Sequence, residues 1–210
     1  MKIYKRRIDP ILKYIKGDVL DIGCIGMGKE DEYGGGNFLH KVVAEKTDVK
    51  SLTGMDVQKE KIYKLNALGF NIIEQSADEK FDLHRQFDVI IAEEVIEHLY
   101  NTGIFLDNVK RHLKEHGLFV ITTPNPQSFQ FFIHMILFGK PLVNEFHTHW
   151  HSKATLGFIL KNNGFEIINF MFFEDRAPNL KGLIYQKLFF FLPRHFSRNM
   201  ACIARLRKYK

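Results

Sequence analysis

Glu94, Glu97 and His98 stand at i, i+3 and i+4 within Glu-Glu-Val-Ile-Glu-His, residues 93–98. On a helix the three side chains would share one face. Two carboxylates and an imidazole on one face can bind a divalent cation. His147 or His149, from His-Thr-His-Trp-His, could complete the shell. The same residues have a plainer use. Glu94 and Glu97 suit a helix N-terminus, and His98 can be a buried, hydrogen-bonded imidazole. His151 adjoins Ser152 and reads as a residue of a helix cap.

A second group of acids sits where strands end. Residues 19–28 read Val-Leu-Asp-Ile-Gly-Cys-Ile-Gly-Met-Gly. A short apolar run stops at Gly23, and Gly26, Gly28 and Gly34 to Gly36 follow. This is the pattern of a buried strand entering a loop whose backbone approaches a ligand. Asp21 among those glycines would repel a phosphate, so the loop suits a cationic or hydroxyl-rich ligand. The glycine spacing of dinucleotide-binding loops is absent. Asp56 ends the run Leu-Thr-Gly-Met-Asp, and Glu93 ends Phe-Asp-Val-Ile-Ile-Ala-Glu.

The elements that must position these acids alternate. Strands are expected at 18–22, 52–57, 71–75, 87–92, 118–122, 165–173 and 200–206. Helical spacing fills the intervals, and a first helix is expected over 3–16, from Ile8, Ile11, Leu12 and Ile15. The near-continuous apolar run at 87–92 fits a strand buried on both faces. Alternating strands and helices define a doubly wound α/β fold. Ligands bind such sheets at the carboxyl ends of the strands, where Asp21, Asp56 and Glu93 all fall.

Residues 19–28 resemble the first motif of class I S-adenosylmethionine (SAM) methyltransferases, with Ile25 where a second glycine is usual. Residues 52–57 are similar to that superfamily's second acidic strand. Gln75-Ser76-Ala77-Asp78 resembles its adenine-flanking segment, with Ser76 in place of the usual acid. Residues 87–99 and 118–126 resemble its later motifs. The resemblance is greatest to the branch that includes ubiquinone-biosynthesis O-methyltransferases. It implies one Rossmann-like domain over 1–210, with a seven-stranded, mostly parallel sheet whose last strand is antiparallel. Insertions at about 127–151 and 178–195 would cover the substrate. It implies SAM as cofactor, held by Asp21, Gly23, Gly26, Asp56, Val57, Ser76, Ala77 and Glu93, with Asp56 taking both ribose hydroxyls. Small-RNA 2′-O-methyltransferases use the same Glu-x-x-Glu-His and later histidines to hold a metal, so Glu94, Glu97 and His98 become candidate ligands. His98 and His149 are the candidate bases for a proton leaving an oxygen acceptor.

Composition bounds the partners. The 210 residues, 45% apolar and 26% charged, fit one globular domain. The two cysteines, Cys24 and Cys202, lack metal spacing, and a reduced, cytoplasmic setting is expected. No apolar run is long enough to cross a bilayer. The net charge of +6 is uneven, because nine basic residues and no acid follow Asp175. Such an end suits an anionic membrane surface, a phosphorylated substrate or nucleic acid, or is a solvated tail. The insertions are rich in Phe, which suits either the core or an apolar, lipid-like acceptor; with the resemblance, the leading reading is methylation of an oxygen on a small or lipid-like acceptor. RNA 2′-O-methylation and a non-catalytic SAM-binding subunit of a partner protein are the competing readings.

Overall fold

The computed structural model describes residues 2–26, 38–140, 144–175, 180–189 and 191–208. Among them, eight strands form one sheet. They are β1 (Ile3–Tyr4), β2 (Gly17–Ile22), β3 (Val49–Asp56), β4 (Ile72–Glu74), β5 (Phe87–Glu93), β6 (Leu113–Pro124), β7 (Phe165–Asp175) and β8 (Asn199–Leu206). Their order is β1-β7-β8-β6-β5-β2-β3-β4. The strands from β2 to β6 pair in parallel, and β8 is antiparallel to both β6 and β7. The expected sheet with an antiparallel last strand is therefore present, with β1 as an eighth, two-residue strand beside β7.

Side chains alternate along each strand and bury both faces. Leu20, Ile22, Ile90, Phe119 and Ile121 point to one face, where Phe105 and Leu106 of α3 (Thr102–His112) and Leu156 of α5 (Lys153–Asn162) cover them. Val19, Val89, Ile91, Val120 and Ile203 point to the other, under Leu39 and Val43 of α1 (Leu39–Ala44). Two covered faces explain the apolar run of β5 at 89–92, where alternation with polar residues would strand charges in the core. α2 (Lys59–Ala67) connects β3 to β4.

The helix expected over 3–16 does not form. The segment is β1, then turns, then a single 3-10 turn at Leu12–Tyr14. Pro10 has no N–H and disfavours helical backbone at Asp9. Asp9 instead takes the Arg6 backbone N–H at 2.9 Å and the Arg6 Nε at 2.7 Å, a local competitor of helix hydrogen bonding. Ile8, Ile11 and Ile15 are nevertheless buried against the second face. Their spacing reported burial, which a run of turns supplies as well as a helix.

Ser152 caps α5 in a full capping box with Thr155. Ser152→Ala is expected to cost about 1 kcal/mol, read as a lower urea midpoint with an unchanged slope. α4 (Phe129–Phe138) behaves differently: Ser128 caps it and Gly139 ends it, yet none of its residues is buried. α6 (Leu180–Phe189) lies between β7 and β8 in the chain. No helix among the described residues is long and apolar enough to cross a membrane.

Candidate functional site

The carboxyl ends of β2, β3 and β5 open into one cavity of about 1210 Å³, lined by Asp21, Asp56, Ser76, Glu93, Glu97 and His98 among others. The three strand-end acids thus share one site, as the sheet topology requires.

Asp56 organises the glycine loop. Its Oδ2 accepts from the Ile25 N–H at 3.0 Å. Its Oδ1 accepts from the Val57 and Gln58 backbone N–H groups at 2.8 and 3.1 Å and from Gln58 Nε2 at 3.2 Å. Gln58 Nε2 also donates to the Gly26 carbonyl at 2.7 Å. Gly23 is obligatory here: its φ is +69°, and an added Cβ would lie 2.5 Å from Val95 Cγ2. Gly26 lies in the left-handed region with open space beside it. Val57, Ser76 and Ala77 line the same cavity. Gly28 and Gly34 to Gly36 lie outside the described residues.

Glu93 and Glu94 meet an arginine that no local motif announces. Arg7 Nε donates to Glu93 Oε1 at 3.0 Å, and Arg7 Nη1 lies 3.5 Å from Glu94 Oε2. Burial pushes the Glu93 carboxyl up to about 7, against the pull of Arg7. The folded chain therefore holds a proton that an unfolded glutamate releases above about pH 4.3. Glu93 contributes stability that falls as pH rises from about 4.5 to about 7. Glu93→Gln is expected to flatten that part of the melting-temperature profile, measured by thermal denaturation across pH.

The helical face expected for Glu94, Glu97 and His98 is absent. β5 ends at Glu93, Glu94 has φ +53°, and Ile96–His98 is a single 3-10 turn. Thr122 of the neighbouring strand holds Glu94 in place, its carbonyl and Oγ1 both accepting from the Glu94 N–H at 3.1 and 3.2 Å. Glu94 accordingly turns toward Arg7, while Glu97 and His98 meet His147. Their ligand atoms all lie within 4.8 Å of one another. The His98 and His147 rings are 4.7 Å apart.

Glu97 is buried, and its Oε2 accepts from Thr123 Oγ1 at 2.9 Å. Its Oε1 has no hydrogen-bond partner. Burial, then the neighbouring Glu94 charge, raise its pKa well above the usual carboxylate range. The Glu97 carbonyl receives the Thr148 and His149 N–H groups at 2.8 and 3.1 Å, which pins the histidine segment over the turn. His98 Nδ1 donates to the Phe146 carbonyl at 3.0 Å, which leaves Nε2 as the lone-pair nitrogen when the ring is neutral. Burial and the nearby His98 lower the His147 pKa. His149 is exposed and lines a small adjoining recess with Trp150 and His151. Of the two later histidines, the fold brings His147 beside His98.

A doubly wound sheet with this strand order and an acid-lined cavity at its carboxyl ends defines a class I SAM-dependent methyltransferase, and the chain belongs to the methyltransferase domain family, which it matches over residues 3–169. It is similar to the ubiquinone biosynthesis O-methyltransferase of Rickettsia conorii, 28% identical over 174 residues. That match covers 81% of this chain and 55% of the relative, so the chain spans little more than half the relative's length. Its fold is similar to a SAM-dependent methyltransferase from Archaeoglobus fulgidus, with a TM-score of 0.65 and 23% identity over 95% of this chain and 91% of that one. It is also similar to the small RNA methyltransferase HEN1, with a TM-score of 0.62 and 19% identity over 97% of this chain and 25% of that one.

Proposed function

We propose that the chain moves the methyl group of SAM to a hydroxyl oxygen of a small, lipid-like acceptor. The observation that carries this reading is the layout of the cavity. Asp56, Ser76 and Ala77 lie at its β3–β4 end, and Glu97, His98 and His147 line it near β6. A nucleoside fits the first set, with Asp56 accepting from ribose hydroxyls. Asp21 and Glu93 lie between, and suit the cationic sulfonium and ammonium of SAM. The acceptor oxygen then stands near His98.

Methyl transfer is an in-line displacement. The oxygen forms a bond to the methyl carbon as the carbon–sulfur bond breaks, and the pair from that bond stays on sulfur as a neutral thioether. Positioning supplies much of the rate. The acceptor proton passes to a base, and the free Nε2 of His98 is the group with the lone pair for it. A divalent cation fits the same corner, because Glu97 Oε1 is buried without a partner and stands within reach of two imidazoles. Glu97, His98 and His147 would hold it. Bound there, it would lower the pKa of the acceptor hydroxyl.

The acceptor side is apolar. Phe131 of α4 stacks on Trp150 with ring centroids 5.9 Å apart. α4 carries an uncovered apolar surface, with Phe132 52% and Leu137 67% exposed. That surface supports a lipid-like acceptor met at a membrane face, in line with the name of the Rickettsia relative. A second reading, methylation of RNA, draws on the Glu97–His98–His147 cluster and the fold shared with HEN1.

The test is transfer of labelled methyl from SAM into an extract of the source cells, separated into lipid, RNA, protein and small-molecule fractions. Label in lipid or small molecules, lost in His98→Ala, is the expected outcome. Label in RNA would replace the lipid reading with the second one. Tight SAM binding with no label in any fraction would leave a cofactor-binding subunit.

A further inference from the structure

Behind Asp21 lies a histidine that the mechanism does not use. His40 is the second residue of α1, and it is fully buried. Its Nδ1 donates to Asp21 Oδ2 at 2.9 Å, a pair in which neither side chain is more than 2% exposed. The rest of the ring is enclosed by apolar groups. The Phe38 and Phe70 rings lie 6.0 and 5.7 Å away. His40 Cε1 presses on β3 so closely that a Cβ added at Gly54 would lie 2.8 Å from it. His40 Nε2 has no hydrogen-bond partner.

This slot would accept a phenylalanine or leucine at lower cost, because a buried polar nitrogen without a partner is unfavourable. The single polar gain of an imidazole here is its bond to Asp21. Asp21 pairs in register with Gly54 on one side and Ile91 on the other, at the centre of the sheet, and it lines the cavity. A carboxylate so enclosed tends to protonate or to rotate away from its site. Burial raises the Asp21 pKa, the His40 bond lowers it again, and the charge of Asp56 adds to the rise.

We propose that His40 is a positioning residue for cofactor binding: through Nδ1–H it fixes the Asp21 carboxylate, charged and oriented, toward the cationic end of SAM. This deepens the reading of the cavity as the SAM site and rests on it. The function lies in the δ nitrogen alone. Asparagine carries an amide N–H at nearly the same place, glutamine carries its donor one bond too far, and phenylalanine fills the slot with none.

The experiment is titration calorimetry of the full chain with SAM. His40→Phe and Asp21→Asn are each expected to weaken binding by about tenfold or more, and the double variant by no more than Asp21→Asn alone, since His40 acts only through Asp21. His40→Asn is expected to stay within about threefold of the original chain, and His40→Gln to fall with the Phe variant. Thermal melts without SAM separate binding from folding. If His40→Phe does not fold, the Asn and Gln pair carries the comparison. Unchanged binding in His40→Phe, equal binding in Asn and Gln, or additive losses in the double variant would each overturn the proposal. Asp56→Asn is the control for the site. If it too binds SAM normally, the cavity is not the SAM site. If it fails while His40→Phe binds normally, only the role of His40 is wrong.

Discussion

Asp56→Ala is expected to weaken SAM binding by about a hundredfold, the loss of two charge-assisted hydrogen bonds of about 1.5 kcal/mol each. The carboxylate does two things at the end of β3. It gathers the Ile25, Val57 and Gln58 N–H groups, which fixes the glycine turn against α2. It also retains acceptor capacity: Oδ2, with a single donor, keeps a lone pair for one ribose hydroxyl, and the Gln58 side-chain amide at 3.2 Å would yield its place on Oδ1 to the other. Alanine removes both functions. Asp56→Asn keeps one carbonyl oxygen and is expected to fall between the two. Calorimetry reads the affinity, and circular dichroism checks that the sheet persists. Binding by Asp56→Ala within about twofold of the original chain would remove the ribose role.

The sheet was legible because its rule is local. A strand buried on both faces must be apolar along most of its length, and the runs at 89–92 and 118–121, with Val19, Leu20 and Ile22, have few other uses. The strand-end acids followed, because a parallel sheet brings every carboxyl end to one side. What failed was helix periodicity over short spans. Ile8, Ile11 and Ile15 are buried as the pattern implied, yet Asp9 and Pro10 turn the backbone away from helix. The spacing of Glu94, Glu97 and His98 was read on a helix that Thr122, 28 residues away, prevents by holding Glu94 with φ +53°. Arg7 had no signal at all. Its partners lie 86 and 87 residues further on, and the N-terminal turns reach β5 through the pairing of β1 with β7 and the packing of Ile8, Ile11 and Ile15. The choice between His147 and His149 was equally hidden, since it depends on which residues the Glu97 carbonyl ties down.

Glu97→Gln is expected to separate stability from turnover. Glu97 is 1% exposed, with one oxygen bonded to Thr123 and the other unpaired. Such a group is costly when ionised, and its raised pKa means that the folded chain keeps a proton which the unfolded chain gives up above about pH 4.3. The sign follows. Folding stability is undiminished below that pH and falls as pH rises toward the folded value. Glutamine is neutral at every pH, so it removes the penalty. At pH 8 the variant is expected to gain about 1–3 kcal/mol, and at pH 4 almost nothing. Turnover should move the other way. The Glu97 carboxyl faces His98 and His147 at the acceptor end, where an imidazolium or a cation would draw off its proton and pair with the carboxylate. Losing it should lower kcat by about 10²- to 10⁴-fold with little change in SAM affinity. Urea denaturation at both pH values and steady-state methyl transfer measure the two halves. A variant as active as the original chain would take Glu97 out of the chemistry. A variant less stable at pH 8 would mean that the carboxylate is held by a partner that the fold leaves room for, and a titration with a divalent cation would then be the next measurement.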